Sequence, residues 1–145
     1  MKKYVYLFGF LLIVSFWSCS KYDDGPWISL RGKENRLVNP WKYSLVLRNG
    51  DNVMDGKVPG SINYTESSIG FNEEGRFTEI NSIDAIASQK DGNWAFDEDK
   101  TILQLTFDDG SEDRNLTILK LKHEELWLKE VSGENLKKYR LVPNL

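Results

Sequence analysis

The sequence predicts an all-β fold: a small antiparallel up-and-down barrel of about eight strands within residues 27–145. Three observations carry this expectation. Short segments with period-two alternation recur along the chain, separated by turns rich in Gly, Asn and Asp. No sizeable amphipathic helix interrupts them. The chain has 145 residues, 40% of them hydrophobic, which is enough for one buried core. A meander of this kind must bury its apolar face and protect its edge strands, and closure into a barrel does both, with an open sandwich as the structural alternative. Such a barrel has room inside for side chains or for one small ligand.

The first elements concern address rather than fold. Met1-Lys2-Lys3 is a basic start, and Tyr4 to Trp17 is an apolar run interrupted only by Gly9 and Ser15. The run is shorter than the ~20 residues a membrane-spanning helix needs. A basic start before a short apolar run is the pattern of a secretory signal peptide, assigned to residues 1–18. The run ends in Phe16-Trp17-Ser18-Cys19, which resembles a bacterial lipobox, with Phe16 and Trp17 bulkier than the usual pattern. Cys19 is the chain's one cysteine and has no disulfide partner within it. The resemblance implies that Cys19 is the site of lipid attachment, which explains why it stands alone. Residues 19–26 form an acidic tether, and Ser20-Lys21-Tyr22-Asp23-Asp24 is similar to the export tag of Bacteroidetes surface lipoproteins. The implied location is the outer membrane, lipid-anchored, on the cell surface or on the periplasmic leaflet. A solvated tether would have the same polar composition.

Residues 26–38 read as a short turn or helical piece tucked against the barrel end. From Trp41 the period is two, and 41–48 carries Trp41, Tyr43, Leu45 and Leu47 on one face. Asn49-Gly50 is a hairpin signal, because both residues tolerate positive φ. Residues 51–60 hold three Gly or Pro breaks and read as a loop or ragged strand. A hairpin of 67–72 and 76–80 turns at Glu73-Glu74-Gly75. A short strand over 82–88 then leads through a turn at Asp91-Gly92 into 93–97, where Trp94 and Phe96 share a face. After a charged turn, 101–107 alternates most clearly, so Leu103, Leu105 and Phe107 should be buried and Gln104 exposed. Strands over 114–121, 125–131 and 138–142 complete the set.

At this point the chain resembles a known group. Leu30 to Lys42, with Leu37-Val38-Asn39-Pro40-Trp41, looks like the opening of lipocalin-like domains in Bacteroidetes lipoproteins, where a Leu-Val-Gly-x-Trp stretch starts the first strand. Leu119-Lys120-Leu121, Glu125-Leu126-Trp127-Leu128-Lys129 and Tyr139-Arg140-Leu141 resemble the closing strands of that group. Asn39 departs from it, standing where lipocalins prefer Gly. The resemblance implies a structural lock in which Trp41 plugs one barrel end beneath Arg140, and it implies capture of a small apolar or amphiphilic ligand.

Charge and composition narrow the chemistry. A formal net charge of −3 argues against nucleic acid as a partner. One His and one Cys leave little room for nucleophilic catalysis or for a zinc site. His123 sits between two predicted strands, in Lys122-His123-Glu124-Glu125. The acidic stretches at 97–99 and 108–113 lack calcium-loop spacing and read as solvated turns, where nothing would raise a carboxyl pKa. No cofactor, no metal and no enzymatic activity are expected. Tyr43, Leu45, Phe71, Trp94, Phe96, Leu103, Leu105 and Phe107, with Trp127, are left as lining for a pocket or as filling for the core, and filling is the better account for so short a chain. The function read from sequence is non-catalytic binding of a small apolar or amphiphilic molecule. The rival is a protein-interaction module, an inhibitor or an accessory subunit of a surface complex, membrane-held through its N-terminal lipid.

Overall fold

A computed structural model describes residues 32–145. The expectations for the signal peptide, Cys19, the tag residues Ser20, Lys21, Asp23 and Asp24, and the tether lie outside the described residues. Within them a short helix α1 (Lys33–Leu37) precedes nine strands: β1 (Pro40–Arg48), β2 (Asp51–Asn52), β3 (Ile62–Phe71), β4 (Arg76–Ile83), β5 (Ile86–Phe96), β6 (Ile102–Phe107), β7 (Arg114–Leu121), β8 (Leu126–Ser132) and β9 (Asn135–Pro143). All pairings are antiparallel: β1 pairs with β3, each strand from β3 to β9 lies beside the next, and β1 closes the sheet against β9. Eight strands make the barrel, while the two-residue β2 extends the sheet beside the end of β1. The up-and-down barrel expected from the alternation is the fold.

Local chemistry explains most of the turns. Asn49 and Gly50 both take positive φ, 52° and 99°, the two-residue hairpin geometry that matches strand twist. The Asn49 side chain also accepts the Leu136 amide at 2.8 Å, tying this hairpin to β9. The Asp97 carboxylate closes the β5–β6 turn by accepting the Thr101 and Ile102 amides at 2.7 and 2.8 Å. Asp108 pairs with Arg76, and Asp109 accepts the Ser111 amide; the Ser111 side chain, that amide and Lys90 together hold its carboxyl down at about 2. Asp97 and Asp109 are thus engaged in closing their own turns. His123 is exposed in the β7–β8 connection.

One end of the barrel is sealed by apolar side chains. Leu37, Trp41, Leu121, Leu126 and Leu141 are all essentially inaccessible. α1 lies across this end, as anticipated for the part of 26–38 that is described: the Trp41 indole donates to the Leu37 carbonyl at 2.8 Å, and Arg36 donates to the Leu121 carbonyl at 2.9 Å. Trp41 is a plug, but Arg140 is not its lid. Arg140 alternates out of phase with the inward-facing Tyr139 and Leu141, so it is exposed on the outer wall, its guanidinium 4.2 Å from the ring centre of Trp127. Lys120 approaches the same ring at 4.5 Å. The lock expected between Trp41 and Arg140 is replaced by the carbonyl contact to α1 on the inside and by a cation–π stack on Trp127 outside.

Bulges in two strands and two displaced turns account for the departures from the expected alternation. A bulge at Ser44 shifts the β1–β9 register between Tyr43 and Leu45, and the Ser44 hydroxyl donates to the Arg140 carbonyl at 3.0 Å. One extra residue reverses the parity. Val46 is therefore fully buried, while Leu45 and Leu47 are half-buried on the outside. In β3 a similar irregularity between Asn63 and Ser68 places Tyr64 inside a strand longer than 67–72. The expected strand over 82–88 spans the end of β4, a turn at Asp84-Ala85 with positive φ at both residues, and the start of β5. Asp91-Gly92 is no turn but mid-strand, with Gly92 directly across from Phe77 and Phe107. In β6 the parity is as expected, with Leu103, Leu105 and Phe107 buried and Gln104 exposed.

Candidate functional site

Alternation along the strands toward the other end of the barrel delivers polar side chains to the interior. On β4 the inward series begins with Phe77 and continues through Glu79 and Asn81; on β7 it begins at Arg114, and on β8 and β9 it includes Glu130 and Tyr139. These strands are not all neighbours, so only closure of the barrel brings the residues together. Arg114 donates from Nη1 to Glu79 at 2.9 Å and from Nε to Glu130 at 2.8 Å. The Tyr139 hydroxyl donates to the other Glu130 oxygen, and the Tyr43 hydroxyl reaches Glu79 at 3.4 Å. Tyr43, Tyr64 and Tyr139 pack edge-on or tilted around this layer, with ring centres 5.1–6.3 Å apart.

The ionisation states follow from burial and pairing. Burial penalises the Arg114 charge, but Glu79, Tyr139 and Glu130 around it hold its pKa well above the ordinary value. Burial likewise pushes the Glu130 carboxyl up, yet the Arg114 charge and the hydrogen bonds from Arg114 and Tyr139 outweigh it and leave the group below the usual carboxylate range. Burial raises the Tyr139 phenol far above its usual value, so it remains a proton donor to Glu130. Burial also pushes the Tyr43 phenol well above its usual value and raises that of Tyr64.

Above this ionic layer the barrel opens. A cavity of about 660 Å³ occupies the end opposite α1. Its apolar wall includes Ile62, Tyr64, Ile83 and Phe107, and its floor is formed by Glu79, Arg114, Glu130 and Tyr139. Lys90 stands at the mouth, bonded to Ser111 at 2.6 Å and paired with Asp109 at 3.1 Å. A second hollow of about 200 Å³ under the β2–β3 connection shares Ile62 and Tyr64 with it. The volume lies within the range of small-molecule sites.

The residues singled out from sequence divide sharply. Of that set only Phe107 lines the cavity. Tyr43, Phe71, Leu103 and Leu105 are core, with Tyr43 touching the ionic layer from beneath. Trp94 and Phe96 pack half-buried at the α1 end, where Trp94 meets Phe71 edge-to-face at 6.1 Å and donates to the Asn72 carbonyl. Leu45 and Trp127 face outward. Glu79, Asn81, Arg114, Glu130 and Tyr139 were missed. Their signal was available: each sits on the apolar parity of its strand, where a charged or amide side chain must find a partner inside.

These features define a closed up-and-down β-barrel, plugged at one end and hollow at the other over a buried ionic layer. No protein-family model matches the chain, and no curated protein matches its sequence. Among solved structures, the barrel is similar to a bovine odorant-binding protein crystallised with its natural ligand, with a TM-score of 0.49 and 12% identity over 83% of this chain and 78% of that chain.

Proposed function

We propose that this protein is a lipid-anchored cell-envelope protein whose barrel binds a small amphiphilic molecule without transforming it. The observation that carries the binding half is the cavity at the open end, with an apolar wall on one side and a charged, hydrogen-bonded floor on the other. A purely apolar ligand would bury that floor with its polar atoms unanswered, so a molecule with both characters fits better. The test is a titration of the purified protein with N-phenyl-1-naphthylamine, a neutral amphiphile that fluoresces when removed from water. Saturable enhancement at one probe per chain is expected. Ser88, which lines the cavity, provides the control: Ser88→Trp should fill it and weaken the probe by about tenfold or more. Binding that ignores this substitution, or that never saturates, would reject the cavity as the site.

A protein partner is the second reading, and one observation favours it. Val58, Ile86 and Val131 are exposed apolar side chains on the connections and strand ends around the open mouth. Failure of the probe to bind the cavity would move the function to this rim.

The anchoring half rests on the basic start, the short apolar run and the lone Cys19. Two or more acyl chains on one cysteine hold a protein firmly to a bilayer. Cys19→Ser should abolish incorporation of labelled fatty acid and shift the protein from the detergent phase to the aqueous phase. Unchanged detergent partitioning would refute the anchor.

A further inference from the structure

We infer that the ligand's head group is a cationic hydrogen-bond donor, an aliphatic or aryl ammonium, received by Glu79 and Asn81 on the inner face of β4. This deepens the binding reading above and rests on it. Glu79 and Asn81 are two residues apart on one strand, so both side chains point into the barrel, and both line the cavity. Glu79 is only 5% exposed and Asn81 only 7%. Arg114 and Tyr43 both donate to the same Glu79 oxygen, Oε1, and no donor among the described residues reaches Oε2. The Asn81 Oδ1 is buried with no hydrogen-bond partner at all.

Two adjacent acceptors without donors, inside a protein, are an unmet demand for N–H or O–H groups. A ligand carboxylate or phosphate has none to give and would be repelled by Glu79. An ammonium brings three donors and a charge opposite to that of Glu79, and charge-assisted bonds are the stronger kind. The cations around the cavity do not reverse this preference. Arg114 is committed to two carboxylates, and Lys90 to Asp109 and Ser111. Lys137 lies on β9 directly across from Glu130, whose carboxylate it favours, rather than beside β4. Tyr64 supplies an aromatic ring on the cavity wall, a surface that accepts a cation as readily as an alkyl chain, whereas the Phe107 ring is already approached by Lys90 at 5.4 Å.

The experiment displaces N-phenyl-1-naphthylamine at pH 7 with three eight-carbon competitors: octylamine, octanol and octanoate. Octylamine should compete at least about tenfold better than octanol, and octanoate should be the weakest. Glu79→Gln should erase the preference for the amine over the alcohol. Asn81→Leu, which leaves the Arg114 ion pairs intact, should weaken octylamine several-fold and spare octanol, and it decides the matter if Glu79→Gln does not fold. Octanol or octanoate binding as tightly as octylamine would overturn the head-group assignment while leaving the binding function in place, as would an undiminished amine preference in the folded variants. Displacement by none of the three, in a protein that binds the probe at saturation outside the cavity, would overturn both.

Discussion

Replacing Arg114 by methionine is expected to lower stability by about 3–5 kcal/mol at neutral pH, the cost of leaving buried charges without their partner. The guanidinium is the common partner of Glu79 and Glu130, and both carboxylates lie within the barrel wall. Methionine matches much of its length but offers no charge and no donor. The pH dependence should change sign with the substitution. In the parent, Glu130 is held below its ordinary pKa, so its contribution is present above the unfolded value and is lost as the pH falls through the folded one. Without Arg114, burial is the dominant influence and raises that carboxyl above its unfolded value. The variant should therefore regain stability as the pH falls from 7 toward 5, where the parent regains none. Thermal melts at the two pH values check this, with a neutral-pH loss of roughly 10–20 °C for a barrel of this size. Adding Glu79→Gln and Glu130→Gln to Arg114→Met should restore much of the loss at neutral pH, because the charges that needed the guanidinium are then gone. A single variant that melts like the parent at pH 7 would show that the ionic layer is hydrated and carries no such demand.

Gly92→Ala should be nearly as damaging, for a steric reason. A methyl group at Gly92 would lie 2.2 Å from the Thr106 carbonyl oxygen and 2.7 Å from the Phe77 ring. The first of these is backbone of the neighbouring strand β6, which cannot rotate away. Phe77 is itself locked, 2% exposed and edge-on to Phe107 at 5.2 Å. Relief requires β5 and β6 to part or the Phe77 ring to leave its place, and overpacking of this kind costs about 1–3 kcal/mol, more where backbone must move. We expect about 3 kcal/mol in urea unfolding. Gly70→Ala is the matched control: it is also within a strand, but the nearest atom to its added methyl is 3.9 Å away. That variant should fall within about 0.5 kcal/mol of the parent, or gain slightly from the stiffer unfolded chain. Equal effects at the two glycines would mean that close strand approach at Gly92 is not what the residue serves.

The same two sites show how far local signals reach. Leu103, Leu105 and Phe107 alternate without interruption, so their burial follows from a two-residue period and nothing else. The Asn49-Gly50 hairpin follows from the φ preferences of two residues, and the number and kind of strands follow from turn chemistry repeated along the chain. Closure is legible only as the better of two ways to protect the edges, an open sandwich being the other, and the β1–β9 pairing decides between them. Gly92 shows the limit. Next to an Asp it carries the signature of a turn, yet it is glycine because a neighbouring strand and an aromatic ring press against it from elsewhere in the chain.

The interior was decided by contacts that no local window contains. A single inserted residue at Ser44 reversed the parity of β1, moving Leu45 out and Val46 in, and the bulge is held by the Arg140 carbonyl 96 positions away. Arg140 went to Trp127 rather than Trp41 because neighbouring residues on a strand point to opposite faces, and Tyr139 and Leu141 had already taken the inside. The site itself is the clearest case. Glu79, Arg114 and Glu130 come from β4, β7 and β8, and each alone is an ordinary charged residue in a strand. Alternation determines that all three point inward; only the closed barrel sets a guanidinium within 2.9 Å of both carboxylates. Burial makes that pairing obligatory, because a charge removed from water is tolerated only beside its counter-charge.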